Sequence, residues 1–525
     1  MLARFKLGLG LWYNCLGEGY ATRFSELVVG KAFGQVNIAE TLSLMGDELA
    51  SHWDRIVGMG LFWAWLQVVL SVPAFAPGSN PLSFIEGFEP QNAIWTTSLA
   101  FSVATLLGVR CSSRQFDQVA SGVSLQALSC GLSAFGAIAL AVSYYDGRQT
   151  FAALLGIVAT GIGGAMWFVL WGCCLCRHST PLRMLIDTVA YSAMTAVLFL
   201  VSLVAPVVAV QAAAALTPFA SIALLRHANF YASFDISSDG VDEQRVHVLP
   251  SKIRGLDWAD KAMFLMAFFI GFAYGCMRGF AALQHETVSF VLATGIVVGI
   301  AVAGLLLFFT AFAYRRSDQI YLICEVALPL LAAGFLMLVL LDVSAPVALA
   351  ALTVGHSYFY YLFWVHFVSV ARRTGISPSR AVATGLAAFL GSTLLSSLMN
   401  DFLVAAGFAG LDSVNFVSTV MIYVTVVLLA ATMAKAAKRG READELQGVD
   451  AWVARESAQR GLTERESEVL RLLASGLDRA AIRKELAISN DTLKSHIRHI
   501  YSKLEIHSKS ELSDLIARSL SDRSQ

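Results

Sequence analysis

Charge is scarce in this chain. Asp, Glu, Lys and Arg make up 14% of its 525 residues, against 56% hydrophobic ones. A soluble protein carries about 25% charged residues. With a mean hydropathy of +0.63, this balance excludes a wholly water-soluble globule. It points to a polytopic membrane protein with a modest soluble part. A disulfide framework is missing as well. Of the eight cysteines, Cys173, Cys174 and Cys176 crowd one segment end, while Cys15, Cys111, Cys130, Cys276 and Cys324 are scattered in or beside apolar runs. They read as buried, reduced thiols. Even with His178, the crowded three do not match a zinc spacing, so no metal or cofactor is expected. The start, "MLARFKLGLGLWYNCLGEGY", is broken by Gly and Asn and lacks a cleavage site, so it is not read as a signal peptide. Enzyme signatures are absent too: no nucleophile–base pairing, no phosphate loop and no credible metal cluster.

What is there is a series of apolar runs. A membrane helix needs roughly 20 mainly apolar residues. Such stretches fall at residues 56–76, 92–109, 121–143, 151–174, 184–203, 206–225, 260–283, 287–313, 319–341, 346–370, 381–405 and 414–434, with Pro206 as the turn between the fifth and sixth. Basic residues resist translocation and gather in cytoplasmic joints. They follow the even-numbered stretches: Arg110 and Arg114, Arg177 and Arg183, Arg226 and Arg245, Arg315 and Arg316, Arg372 and Arg373, then Lys435 and Lys438. The alternate joints are nearly free of them, Arg148 and the Arg278 region excepted. This parity implies twelve spans, with residues 1–55 and the C-terminal segment both cytoplasmic.

The longest internal joint, residues 226–259, divides the spans into six and six. That layout resembles the major facilitator superfamily, whose two six-helix halves are related by a two-fold axis along the membrane normal. The superfamily's loop motif is degenerate in "GVRCSSRQFDQ" and in its counterpart "YRRSDQ". The resemblance therefore implies the fold of residues 56–434 and leaves transport open.

From Lys435 the composition turns charged. Residues 435–460 read as a linker helix and residues 461–525 as a compact four-helix domain. Thr463 with Glu466 forms a capping box that opens a helix. Val469, Leu470, Leu472 and Leu473 give that helix its buried side, and Gly476 stops it. A second helix runs from about 478 to 486, Ser489 caps a third, and residues 509–520 make a fourth. In the third, "SNDTLKSHIRHIYSKL", Leu493, Ile497, Ile500 and Leu504 form one buried stripe. Lys494, Arg498 and Tyr501 fall on another face with Ser495 beside them, which suits a recognition helix lying in a major groove.

"LTERESEVLRLLASGL", "AISNDTLKSHIRHIYSKL" and "IHSKSEL" resemble the LuxR/GerE-type DNA-binding domain. Together with the apolar runs, this gives an all-α chain, a polytopic helical membrane domain followed by a small helix-turn-helix domain; the resemblance implies that the latter binds double-stranded promoter DNA. It implies that Lys494, Ser495 and Arg498 face bases, while Thr492, His496 and Lys503 help hold the DNA backbone or the fold. It also implies a homodimer on DNA, paired through the fourth helix around Leu512 and Leu515. Two departures stand out: "DRAAIRKEL" replaces a common Asn-Lys-Glu-Ile-Ala run, and Glu505 stands where Gly is frequent.

No receiver domain fits between Lys435 and Leu462. Control therefore falls to the membrane domain, and the chain reads as a one-component transcription regulator of the bacterial inner membrane that senses a small-molecule inducer. Ionisable groups within spans are costly and default to functional candidates. Arg278, Glu325 and His356 are the candidate ligand-sensing residues, with His366 and Asp401 also inside spans. Tyr358, Tyr360, Tyr361 and Trp364 are candidates for an aromatic pocket, and the ligand is read as small and partly aromatic or anionic. The alternative reading is a facilitator-like secondary transporter with a DNA-binding regulatory tail.

Overall fold

A computed structural model describes residues 38–75, 90–145, 150–178, 181–238, 258–282, 288–313, 319–340, 345–406, 411–475, 477–486 and 488–521. Among these residues every regular element is helical. The chain divides into two compact units, residues 1–429 and 430–525.

In the first unit, α1 (Ile38–Ser51) precedes α2 (Trp53–Ser71), and a short 3-10 turn (Pro73–Phe75) follows. Then come α3 (Pro90–Cys111), the short α4 (Ser113–Val119), α5 (Val123–Tyr145), α6 (Thr150–His178), α7 (Pro181–Val204) and α8 (Val207–Ser238). The second half holds α9 (Trp258–Ala282), α10 (Val288–Ala313), α11 (Gln319–Leu340), α12 (Ala345–Thr374), α13 (Pro378–Ala405) and α14 (Leu411–Arg460), the last crossing into the second unit. Each of the twelve apolar stretches is helical over most of its described residues, and the break between the fifth and sixth falls at Ala205 and Pro206. The sixth runs past its apolar end to Ser238, because "RHANFYASFD" is polar but contains no helix breaker.

Seven of the described helices are by themselves long and apolar enough to cross a bilayer. Neither α2 nor α12 is among them. Both lie inside the bundle, where Trp63, Trp65, Tyr358 and Tyr361 are almost fully buried. Their partners are other helices, so aromatic and hydroxyl groups replace the aliphatic side chains that lipid favours. On the outside the pattern inverts: Phe135, Leu200, Phe219, Leu305 and Phe402 stand exposed. Such a surface suits hydrocarbon as its solvent.

The packing repeats with a shift of six helices. Stretches three and four pack together (α5 with α6), as do nine and ten (α11 with α12). One packs on five (α2 with α7), and seven on eleven (α9 with α13). Two packs on four (α3 with α6), and eight on ten (α10 with α12). The halves meet where two packs on eleven (α3 with α13) and five on eight (α7 with α10), a pair the same shift exchanges. This is the two-fold relation expected of joined six-helix halves.

Close approach needs small residues. A Cβ on Gly271 of α9 would meet the Phe389 carbonyl of α13 at 2.6 Å, and one on Gly163 of α6 would meet the Ser133 amide of α5 at 2.8 Å. Across the halves, Thr96 of α3 and Ser397 of α13 share a hydroxyl–hydroxyl bond of 2.6 Å. Two buried carboxylates near the start of the unit are paired: Arg55 donates to Glu48 of α1 at 2.7 Å, and His227 of α8 lies 2.8 Å from Asp54 of α2.

The second unit contains the end of α14 and α15 (Glu464–Ala474), α16 (Arg479–Leu486), α17 (Asn490–Leu504) and α18 (Lys509–Ser521). Gly476, read above as a helix stop, lies outside the described residues, but α15 does end just before it, with Ser475 as its cap. The core of this unit draws on one more helix than the four read from sequence. Val449, Trp452 and Val453 of α14 are buried with Val469, Leu473, Ile482, Leu493 and Ile500.

Candidate nucleic-acid interface and membrane cavity

In the second unit, helix ends hold the recognition helix in place. The capping box at α15 is complete: the Thr463 N–H donates to the Glu466 carboxylate at 2.8 Å, and the Glu466 N–H donates to the Thr463 hydroxyl at 3.3 Å. The same carboxylate, nearly buried, accepts the Lys503 ammonium of α17 at 2.7 Å. The Lys503 ammonium, followed by the Thr463 N–H, holds the Glu466 carboxyl down to about 2 from its ordinary 4.5. Lys503 also donates to the Gly461 carbonyl at 2.9 Å. Its charge is thus engaged in tying α17 to the start of α15.

Asp478 caps α16 by accepting the Ala481 N–H at 2.7 Å. Arg465 of α15 closes the other end of α16, donating to the Leu486 carbonyl at 2.8 Å. Ser489 caps α17, accepting the Thr492 N–H at 3.1 Å. Leu493, Ile497, Ile500 and Leu504 face inward, all nearly inaccessible. Lys494, Ser495 and Arg498 are exposed, and Lys494 lies 3.9 Å from Asp491. Thr492 is exposed with its hydroxyl 2.8 Å from that of Ser489, and His496 is half-buried.

After α17 the chain turns through Glu505 at φ 58°, the left-handed region that favours glycine. Glu505 accepts Arg460, from the end of α14, at 2.9 Å. The departure from the usual glycine thus fastens α14 to the recognition helix. In α18, Leu512 is turned into the domain core, 1% exposed, and Leu515 packs against that core. Leu512 therefore has no surface to offer a second copy, in contrast to the pairing the resemblance implies. The outer residues of α18, Ser510, Glu511, Ser513 and Asp514, are polar or acidic.

In the first unit, a cavity of about 110 Å³ opens between the two halves. His356 of α12 lines it, with its ring stacked on Tyr274 of α9 at 3.6 Å and 14°. Tyr360 and Tyr361 line it too. Tyr358 does not; it bonds Thr310 of α10 at 2.7 Å. Trp364, His366 and Asp401 also lie outside the lining. The side chains of Arg278 and Glu325 lie outside the described residues. Sequence reasoning passed over Trp63, Gln67, Tyr274 and Phe389, which complete the wall. Trp63 and Gln67 share one face of α2, while Tyr274 and Phe389 come from α9 and α13, so the sequence carries no sign that the three helices meet there.

Residues 460–516 match the family model described as bacterial regulatory proteins, luxR family. The chain is 46% identical over 59 residues to a helix-turn-helix-type transcriptional regulator from the exeN 3′ region of Aeromonas salmonicida, covering 11% of this chain and 30% of the relative. It is 48% identical over 48 residues to a nitrate/nitrite response regulator homologue of Haemophilus influenzae, covering 9% and 23%. The chain thus spans less than a third of the length of these curated relatives. Among solved structures, the human organic anion transporter MFSD10 aligns with a TM-score of 0.50 at 16% identity, covering 72% of this chain and 99% of that one. That likeness shows the fold alone. The chain thus carries a LuxR-type helix-turn-helix DNA-binding domain at residues 460–516, and its other unit holds, among the described residues, seven helices long and apolar enough to cross a membrane.

Proposed function

We propose that this protein is a one-component transcription regulator of the bacterial inner membrane. Its membrane domain senses a small molecule in the cavity between the halves, and its LuxR-type domain binds promoter DNA. The observation that carries this reading is the match of residues 460–516 to the LuxR family in a chain whose other unit holds, among the described residues, seven helices long and apolar enough to cross a membrane. A ligand acts by favouring one arrangement of the halves over another. Lys494, Ser495 and Arg498 contact bases, and Thr492 and His496 contact the DNA backbone; Lys503 serves the fold. The alternating basic joints support twelve spans with both termini cytoplasmic. Two copies bind together, since one module of this size presents a single recognition helix to a half-site. Chromatin immunoprecipitation of the intact protein, with and without candidate inducers, tests the reading. Occupancy at discrete promoters that responds to an inducer supports it, and uniform or absent occupancy overturns it.

The facilitator-type fold with its central cavity favours a second reading, a transporter with a regulatory tail. Gradient-driven uptake into proteoliposomes would support that one.

A further inference from the structure

The cavity between the halves has a chemistry narrower than "small molecule". Among the described residues that line it there is no carboxylate, ammonium or guanidinium. Its polar groups are hydroxyls, the Gln67 amide, the His356 imidazole and the indole N–H groups of Trp63 and Trp95. An ion moved into such a wall loses its hydration and gains no countercharge, which costs several kcal/mol. Such a wall favours an uncharged guest.

Size narrows it further. At about 110 Å³ the cavity is well below the roughly 300–1,000 Å³ that hold drug-sized ligands. It is close to the ~150 Å³ apolar cavity that accommodates benzene. One ring with a single small substituent fits.

The walls set the shape. Tyr274 and His356 lie nearly parallel, and His356 and Tyr360 follow at 5.9 Å and 17°. Tyr360 and Phe389 continue the series at 4.7 Å and 20°. Flat, aligned faces favour a flat guest that extends the stack. Trp63 closes the wall edge-on to Tyr360, at 5.0 Å and 71°. Its indole N–H is buried and meets no acceptor among the described residues.

We infer that this cavity binds an uncharged, single-ring aromatic compound carrying one hydrogen-bond acceptor, its ring against the Tyr274–His356–Tyr360 faces and its acceptor on the Trp63 N–H. The inference rests on the sensing reading for its biological meaning, and on the cavity alone for its chemistry.

The test uses three matched probes on the full chain in lipid nanodiscs: phenol, its saturated counterpart cyclohexanol, and the anionic ring benzoate. Equilibrium dialysis reads the saturable component above linear partition into lipid. Phenol is expected to saturate, with cyclohexanol weaker by roughly three- to tenfold, the worth of aromatic contact beyond area. Benzoate is expected to be weaker still. Gly164 lines the cavity, and a Cβ there meets only Trp65 and Leu66 at 3.6 and 3.8 Å. Gly164→Leu is therefore expected to fill the space and abolish saturable phenol binding. Tyr274→Leu keeps the bulk but removes a face, and is expected to erase the preference for phenol over cyclohexanol. Benzoate binding as tightly as phenol, no saturable phenol binding, or a preference unchanged in Tyr274→Leu overturns the inference. Promoter DNA affinity, measured on the same nanodiscs with and without phenol, reports separately on sensing. Saturable phenol binding that leaves DNA affinity unchanged supports the ligand class and counts against the sensing reading.

Discussion

Asp117 on the short helix α4 accepts the backbone N–H of Ser379, 262 residues away, at 3.2 Å. Ser377 also donates its hydroxyl to this carboxylate. The Ser379 hydroxyl in turn donates to the Ser113 carbonyl at 3.1 Å. One carboxylate from the first half thus caps the first turn of α13 in the second half. Caps of this type contribute about 0.5–2 kcal/mol. Asp117→Ala is expected to lower the stability of the membrane unit by that order. It should also raise hydrogen exchange over the first turn of α13, where Asp117→Asn has a smaller effect. Hydrogen-exchange mass spectrometry on the full chain checks both.

Trp452 is 1% exposed in the core of the DNA-binding unit. Replacing a buried Trp by Ala costs ~3–5 kcal/mol, a large share of what holds a small domain together. Trp452→Ala is expected to make residues 461–521 protease-sensitive and to abolish DNA binding, while the membrane unit keeps its melting temperature. Limited proteolysis followed by mass mapping distinguishes this from global unfolding.

Lys503 and Lys494 are both cations of α17, yet their expected roles differ. Lys503 is bound to Glu466 and to Gly461, so Lys503→Met is expected to lower stability with little change in the salt dependence of DNA binding. Lys494 is exposed; Lys494→Ala is expected to cost ~1–3 kcal/mol of DNA affinity with stability unchanged. Filter binding over a salt series, paired with thermal melts, separates the two.

The Glu466 carboxyl, held at about 2 against an ordinary 4.5, makes the unit acid-sensitive in a defined window. A depressed folded-state value contributes stability above the unfolded value, and that contribution is lost as pH falls from about 4.5 toward 2. Fluorine NMR of 5-fluorotryptophan, with Trp452 assigned by Trp452→Phe, is expected to show the unit loosening across that window. Glu466→Gln should be less stable at neutral pH and flatter between those values.

The readable features were local ones. The Thr463–Glu466 box, the Ser489 cap and the Leu493–Leu504 stripe each lie within one helix, where a period of 3.6 writes burial directly into the order of residues. Contacts between distant helices leave no such trace. The Asp117–Ser379 cap and the Trp63–Tyr360 edge contact each join residues hundreds of positions apart. Val449, Trp452 and Val453 do carry a helical spacing, but three apolar residues in a charged run resemble a linker until a partner helix is known. Leu512 is 1% exposed in the core of this domain, a placement that the family resemblance by itself did not indicate.

Genome-wide occupancy of the intact protein and of Lys494→Ala/Arg498→Ala, compared in the same cells, is the most direct test of the whole reading. Discrete promoter peaks with the unaltered protein that vanish in the double variant, at equal membrane abundance, are the predicted result. Peaks that persist unchanged in the variant would contradict it.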